Sequence, residues 1–129
     1  MPTILVVDDS VLVRRHVRIA LEAAGFQMVE AETGRIAMAK LEEAGDVALV
    51  ICDVNMPDQG GLAFLEILRA GDRWRSLPVV FLTAEADPAM INRARTLAAS
   101  AWVVKPFDAK KLVEITRRLT ELSAVAVPA

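Results

Sequence analysis

The chain has 129 residues, 15 basic and 17 acidic, with a formal net charge of −2, and its 54% of hydrophobic residues is spread over short segments. This length is typical of one domain, and no apolar run approaches the ~20 residues of a membrane span. The near balance of charges gives no argument for nucleic-acid binding. No signal peptide is visible, and the single cysteine, Cys52, excludes an intrachain disulfide. We therefore expect a cytoplasmic protein.

Apolar runs and helical periodicities alternate along the whole chain. In chain order they predict a strand at 3–7, a helix at 11–24, a strand at 26–30, a helix at 34–44, a strand at 49–52, a helix at 62–70, a strand at 78–82, a helix at 88–97, a strand at 101–104 and a helix at 109–122. Ser10, Asp87 and Asp108 are suitable N-caps for three of the helices.

Five strands that alternate with five helices predict a doubly wound α/β fold, with a parallel sheet covered on both faces. There is no internal repeat and no linker. We expect one domain over residues 1–123, a short and loosely held tail at 124–129, and no output domain.

Polar residues follow four of the predicted strands. Asp8 and Asp9 end the first strand, Asp53 the third, Thr83 the fourth and Lys105 the fifth. In a parallel sheet these carboxyl ends share one edge, which is where open α/β sheets bind their ligands. The five side chains should therefore converge.

Three neighbouring carboxylates need a counter-charge, because two unit charges ~5 Å apart repel by roughly 3 kcal/mol at an effective dielectric constant of about 20. A hard divalent cation with oxygen ligands, Mg²⁺, supplies it. The alternative is that one acid stays protonated, with its pKa raised by its neighbours. The hydroxyl of Thr83 and the ammonium of Lys105 suit a phosphoryl group. Since an Asp carboxylate is a nucleophile toward phosphorus, we predict that Asp53 is phosphorylated.

Several short motifs carry a resemblance to response-regulator receiver domains, in particular the single-domain chemotaxis (CheY-like) type. They are Val6-Val7-Asp8-Asp9-Ser10, Asp53-Val54-Asn55-Met56-Pro57, Gly61-Leu62, Leu82-Thr83-Ala84 and Val104-Lys105-Pro106-Phe107. They extend from residue 6 to residue 107. The resemblance implies a flavodoxin-like (βα)5 fold with strand order 2-1-3-4-5.

The resemblance also implies roles for the acids. Asp53 would accept a phosphoryl group from a phosphohistidine, on a sensor histidine kinase or a histidine phosphotransfer protein, or from acetyl phosphate. Asp9, Asp53 and the backbone carbonyl of Asn55 would ligate Mg²⁺ directly. Asp8 would act largely through water.

The resemblance implies roles for three further residues, of which Thr83 and Trp102 would form a switch. Lys105 would bind a phosphoryl oxygen, and its peptide bond to Pro106 is expected to be cis. Thr83 would move its hydroxyl onto the phosphoryl group, and Trp102 would then swing inward. A downstream effector protein would recognise the changed face of the fourth helix, fifth strand and fifth helix. We expect no nucleic-acid or membrane partner, and a monomer or weak dimer.

The sequence departs from the family pattern at three places. Trp102 stands where Tyr or Phe is usual, Gly60 replaces an Asp, and 99–101 lacks a glycine before the fifth strand. The alternatives are a phosphate sink or relay intermediate and a small Mg²⁺-dependent aspartyl phosphatase. The phosphatase would need a second acid where the chain has Asn55.

The first predicted helix carries polar residues that we interpret as a solvent-exposed face without a specific function. Arg14, Arg15 and Arg18 are expected there, the alternative being that they help to dock an acidic kinase surface, and His16 is expected beside them.

Overall fold

The computed structural model describes residues 2–56 and 60–126, with side chains described through residue 121. Pro57, the last residue of the motif that begins at Asp53, lies outside the described residues. The strands are β1 Thr3–Val7, β2 Gln27–Ala31, β3 Val47–Cys52, β4 Val79–Thr83 and β5 Ala101–Val104. The helices are α1 Val11–Ala23, α2 Gly34–Ala44, α3 Gly61–Ala70, α4 Pro88–Thr96 and α5 Ala109–Ala126.

The five strands form one sheet in the order β2-β1-β3-β4-β5, and every neighbouring pair is parallel. This confirms the predicted fold. Val7 of β1 lies opposite Cys52 of β3, which lies opposite Phe81 of β4. The residues that follow these strands therefore emerge side by side at one edge of the sheet.

The continuous apolar character of the central strands follows from their burial on both faces, since successive side chains of a strand point to opposite sides. One face of the sheet packs against α2, α3 and α4, and the core there includes Leu41, Phe64 and Leu68. The other face packs against α1 and α5 through residues such as Leu21 and Leu112. No helix within the described residues is long and apolar enough to cross a membrane.

The predicted N-caps are confirmed. The side chains of Ser10, Asp87 and Asp108 accept hydrogen bonds of 3.3, 3.3 and 2.9 Å from backbone N–H groups in the first turns of α1, α4 and α5. Such bonds satisfy donors that a helix leaves unpaired at its start. Gly60, the N-cap of α3, makes no capping hydrogen bond of this kind, because glycine has no side chain.

The end of the last helix differs from the prediction. α5 continues to Ala126, whereas the sequence predicts that the helix ends at 122. Residues 122–127 contain neither glycine nor proline, and the first helix-breaking residue after the start of α5 is Pro128. Nothing in the sequence therefore ends the helix at 123.

Candidate functional site

The predicted carboxylates converge at the carboxyl edge of the sheet. One oxygen from each of Asp8, Asp9 and Asp53 lies within 4.8 Å of the others. Asp8 and Asp53 are 2% and 8% exposed, whereas Asp9 is open to solvent. An all-oxygen donor set of this kind is what Mg²⁺ prefers, and the cluster is compatible with that ion.

Lys105 bridges two of these acids. Its Nζ lies 2.9 Å from Oδ2 of Asp8 and 3.2 Å from Oδ2 of Asp53. Burial lowers the pKa of Lys105, but its hydrogen bonds and Coulomb attraction to both acids outweigh burial and raise that pKa above its usual value. The ammonium group therefore stays charged, and it offsets only one of three carboxylate charges. A divalent cation would offset the other two.

Asp8 is the more deeply buried of the two acids that Lys105 contacts. Its Oδ1 accepts a hydrogen bond of 2.9 Å from the backbone N–H of Ser10, so that α1 begins directly at this carboxylate. Burial raises the pKa of Asp8, and the bonds from Lys105 and Ser10 oppose that rise without cancelling it.

Asp53 follows β3 and is held by its backbone. Its N–H donates to the carbonyl of Val7 at 2.9 Å, and its Oδ1 accepts from the N–H of Asn55 at 3.2 Å. A side chain at Gly61 would place its Cβ 2.9 Å from Cε1 of Phe81 and closer still to the Asp53 carbonyl. Only glycine lets α3 start this close to the acid, which explains the Gly61-Leu62 motif.

Cys52 lies directly before Asp53 and is fully buried. Burial, reinforced by the negative charges of Asp53 and Asp8, raises its pKa well above the ordinary value. Its Sγ donates to the carbonyl of Asp53 at 3.2 Å. Cys52 is therefore a protonated core residue.

Thr83 and Trp102 are connected through a residue that sequence reasoning missed, Glu85. Oγ1 of Thr83 is fully buried and accepts from the backbone N–H of Glu85 at 3.2 Å. Nε1 of Trp102 donates to the carbonyl of Glu85 at 2.9 Å. The Trp102 ring also packs against Phe81, with centroids 5.5 Å apart. In the sequence, the only feature that could have indicated a role for Glu85 is its position two residues after Thr83.

The structure thus brings together Asp8, Asp9, Asp53 and Lys105, while the hydroxyl of Thr83 is hydrogen-bonded to Glu85 and to no carboxylate of the cluster. The exposed side chain of Asn55 also reaches Glu85, with Nδ2 3.4 Å from Oε2. The Lys105–Pro106 peptide is cis, as the resemblance implies.

One expectation for α1 needs correction. Arg14 is 8% exposed and does not belong to a solvated face. It points inward because residue 14 adjoins the buried stripe of Val17 and Leu21. His16 is exposed, as expected, and its ring packs edge-on against Phe107, with centroids 5.6 Å apart.

A doubly wound domain with an acidic cluster and a lysine at its carboxyl edge defines the class of receiver domains. The family model described as response regulator receiver domain matches residues 4–117. The chain therefore belongs to the response regulator receiver domain family.

Within that family it is a receiver domain of the CheY type. It is 37% identical to chemotaxis protein CheY-3 of Vibrio cholerae over 119 residues. The aligned region covers 92% of this chain and 91% of the relative. Chemotaxis protein CheY1 of Helicobacter pylori is 35% identical over 112 residues, 86% of this chain and 90% of the relative. The solved structure of Vibrio cholerae chemotaxis protein CheY4 superposes with a TM-score of 0.86 at 34% identity, covering 92% of this chain and 98% of that chain.

Proposed function

We propose that this chain is a two-component response regulator that is phosphorylated on Asp53. The observation that carries the proposal is the bridge from Lys105 to Asp8 and Asp53, at 2.9 and 3.2 Å, beside three converging carboxylates. Receiver domains act as phosphoacceptor switches, which fits a signalling role without a separate substrate. Mg²⁺ would be held by Asp9, Asp53 and the backbone carbonyl of Asn55, with Asp8 acting through water.

In the proposed reaction an oxygen of Asp53 attacks phosphorus. An O–P bond forms while the N–P bond of a phosphohistidine, or the O–P bond of acetyl phosphate, breaks, and the leaving group takes the electron pair. The bound cation would supply charge neutralisation for the phosphoryl oxygens. The product is an acyl phosphate on Asp53, and the donor is a sensor histidine kinase or a histidine phosphotransfer protein.

Lys105 already lies 3.2 Å from the Asp53 oxygen and would follow the negative charge onto the phosphoryl group. Thr83 uses an acceptor lone pair for the N–H of Glu85, which leaves its O–H proton to donate to a phosphoryl oxygen. Both side chains would thus read the new charge of roughly −1.5 to −2.

The output of the proposed switch runs through Glu85. Since Thr83 and Trp102 bond to the backbone N–H and the carbonyl of this one residue, a shift of Thr83 toward the phosphoryl group would disturb the partner of Trp102. The face of α4, β5 and α5 would then change for a downstream effector protein. The named relatives are chemotaxis proteins, which supports chemotaxis as the pathway. The free buried thiol of Cys52 is in keeping with the cytoplasmic location expected from the sequence.

The proposal is tested with acetyl phosphate and Mg²⁺, following intact mass and tryptophan fluorescence. The wild type should gain the mass of one phosphoryl group, and Asp53→Asn should not. Asp46→Asn is the matched control, because exposed Asp46 directly precedes β3 whereas Asp53 directly follows it. The control should be phosphorylated like the wild type. Trp102→Phe assigns the fluorescence change, since Trp74 is the other tryptophan.

Equal mass gain in wild type and Asp53→Asn would refute the assignment of the acceptor. No mass gain in any variant would refute the phosphoacceptor role itself. Phosphorylation without a fluorescence change that depends on Trp102 would leave Asp53 as acceptor and remove Trp102 from the switch.

A further inference from the structure

Every polar group of Asp8 is engaged. Its N–H donates to the carbonyl of Ala31 at 3.1 Å, and its carboxylate accepts from Ser10 and Lys105, both at 2.9 Å. Its carbonyl accepts from Nη1 of Arg14 at 2.6 Å, in a buried hydrogen bond. A bond from a charged donor is among the stronger hydrogen bonds in proteins.

The contact with Arg14 also bears on Asp9. The carbonyl of Asp8 and the N–H of Asp9 belong to one rigid peptide plane, so the bond that holds the carbonyl also orients the start of Asp9. Within the described residues the carboxylate of Asp9 makes no hydrogen bond or ion pair, and Asp9 is exposed. Its backbone is therefore the part of Asp9 that protein contacts can fix.

Arg14 is itself held firmly. Its Nε lies 3.0 Å from Oε1 of Glu30 on β2, and the other oxygen of Glu30 lies 3.0 Å from Nη1 of Arg18. A buried guanidinium is costly unless it is paired and hydrogen-bonded. Because Arg14 has both a carboxylate and a carbonyl partner, its position is well determined. Arg14 thereby connects Glu30 of β2 to the Asp8–Asp9 peptide.

We propose that Arg14 is a positioning residue of the metal site, acting through the carbonyl of Asp8 on the placement of Asp8 and Asp9. This inference rests on the proposed function, because it takes the acidic cluster to be a Mg²⁺ site. Arg14 touches neither the phosphoryl group nor any acid side chain of the cluster. It therefore sets the affinity for the cation and leaves the rate of phosphorylation at saturating cation unchanged.

The test compares Arg14→Met with Arg18→Met. Each variant removes one positive charge and one ion pair to Glu30, but only Arg14→Met removes the bond to the Asp8 carbonyl. Mg²⁺ dissociation constants are measured by NMR titration of backbone amides, in protein whose folding is checked by urea unfolding. We expect the dissociation constant to rise about 10-fold in Arg14→Met, as for the loss of a residue that orients a metal ligand. In Arg18→Met it should stay within twofold of the wild type.

The rate of acetyl phosphate reaction against Mg²⁺ concentration is the second measurement. In Arg14→Met the half-saturating Mg²⁺ concentration should rise and the plateau rate should match the wild type, a division that a general loss of stability would not give. Arg14→Lys keeps the charge and one contact, so its dissociation constant should rise about threefold, and it decides the question if Arg14→Met does not fold.

Equal Mg²⁺ affinity in folded Arg14→Met and Arg18→Met would overturn the role of Arg14, as would wild-type affinity in Arg14→Lys if Arg14→Met does not fold. A wild type that shows no Mg²⁺-dependent amide shifts would overturn the proposed metal site itself. The two failures are therefore told apart by the wild-type titration alone.

Discussion

Asp8 shows how burial and pairing compete at one side chain. It is 2% exposed, and its contacts with Lys105 and Ser10 would favour the carboxylate. Burial is nevertheless the largest influence, and it raises the pKa of Asp8, with the charge of Asp53 adding the smallest contribution. The sequence raised the possibility that repulsion between neighbouring acids would keep one of them protonated. The structure gives the same direction but assigns it mainly to loss of water.

This balance predicts the pH dependence of stability in metal-free protein. A carboxyl group whose pKa is higher in the folded than in the unfolded state stabilises the fold below its unfolded pKa, near 3.8, and loses that contribution as pH rises through the folded value. The unfolding free energy of the wild type relative to Asp8→Asn should therefore fall as the pH rises from 3.5 toward neutrality. Urea unfolding in EDTA at several pH values measures it.

Asp46→Asn is the control for this series, because Asp46 is exposed. It should show a smaller dependence on pH than the Asp8 comparison. A difference between wild type and Asp8→Asn that grows with pH would mean that the contacts with Lys105 and Ser10 outweigh burial.

At the scale of elements, the turn after α4 takes a form that normally uses glycine. Ala98 has a φ of 59°, the left-handed region. The N–H of Ala98 bonds to the carbonyl of Arg95 and that of Ala99 to the carbonyl of Ala94, both at 2.9 Å, which is the Schellman pattern of a helix end. Ala98, directly before the segment 99–101 that lacks the glycine of the family pattern, thus occupies a position where the backbone favours glycine.

Replacing Ala98 by glycine should stabilise the protein. The relief of left-handed strain, about 1–2 kcal/mol per residue, exceeds the extra entropy of glycine in the unfolded chain, about 0.4–1 kcal/mol. We expect a gain of about 0.5–1 kcal/mol in the free energy of unfolding, measured by urea denaturation. Ala99→Gly, next along the chain and without a positive φ, should instead lose about 0.5–1 kcal/mol. A loss in Ala98→Gly would show that the left-handed turn carries no strain.

The same turn contains a contact that periodicity does not reveal. Arg69 of α3 donates to the carbonyls of Leu97 and Ala98 after α4, at 2.9 and 3.1 Å. It also donates to the carbonyls of Trp74 and Leu77 in the loop after α3, at 3.2 and 2.8 Å. One side chain therefore pairs four loop carbonyls. The helices themselves could be predicted from caps and apolar spacing, but this contact depends on how two chain segments meet in space.

At the scale of the whole molecule, the same division separates what the sequence predicts from what it does not. The alternation of strands and helices implies a parallel sheet, and a parallel sheet brings Asp8 and Lys105 together across a separation of 97 residues. The strand order was taken from the family resemblance, because several orders satisfy the same alternation. Arg14 and Glu85 could not be predicted, since each acts through backbone atoms whose positions only the folded chain defines.

The reactivity of the Cys52 thiol can be used to measure how Mg²⁺ binding at the site stabilises the fold. It lies fully buried in β3, between β1 and β4, and burial raises the pKa of its thiol well above the ordinary value. A thiol reagent should therefore react only with molecules in which the sheet has opened. If Mg²⁺ binds the acidic cluster of the native state and does not bind the open state, it lowers the fraction of open molecules. The factor is one plus the ratio of the Mg²⁺ concentration to the Mg²⁺ dissociation constant.

At ten times that dissociation constant, labelling of Cys52 in the wild type should slow about tenfold, under conditions in which closing is faster than reaction. Asp9→Asn, which loses a proposed metal ligand but leaves the core intact, should label at a rate that Mg²⁺ does not change. Because Cys52 directly precedes Asp53, a local opening at the site would also expose it. Slowing by Mg²⁺ that matches the rise in global unfolding free energy identifies opening of the whole sheet. A labelling rate unchanged by Mg²⁺ in the wild type, with binding shown by NMR, identifies an opening that leaves the metal site intact.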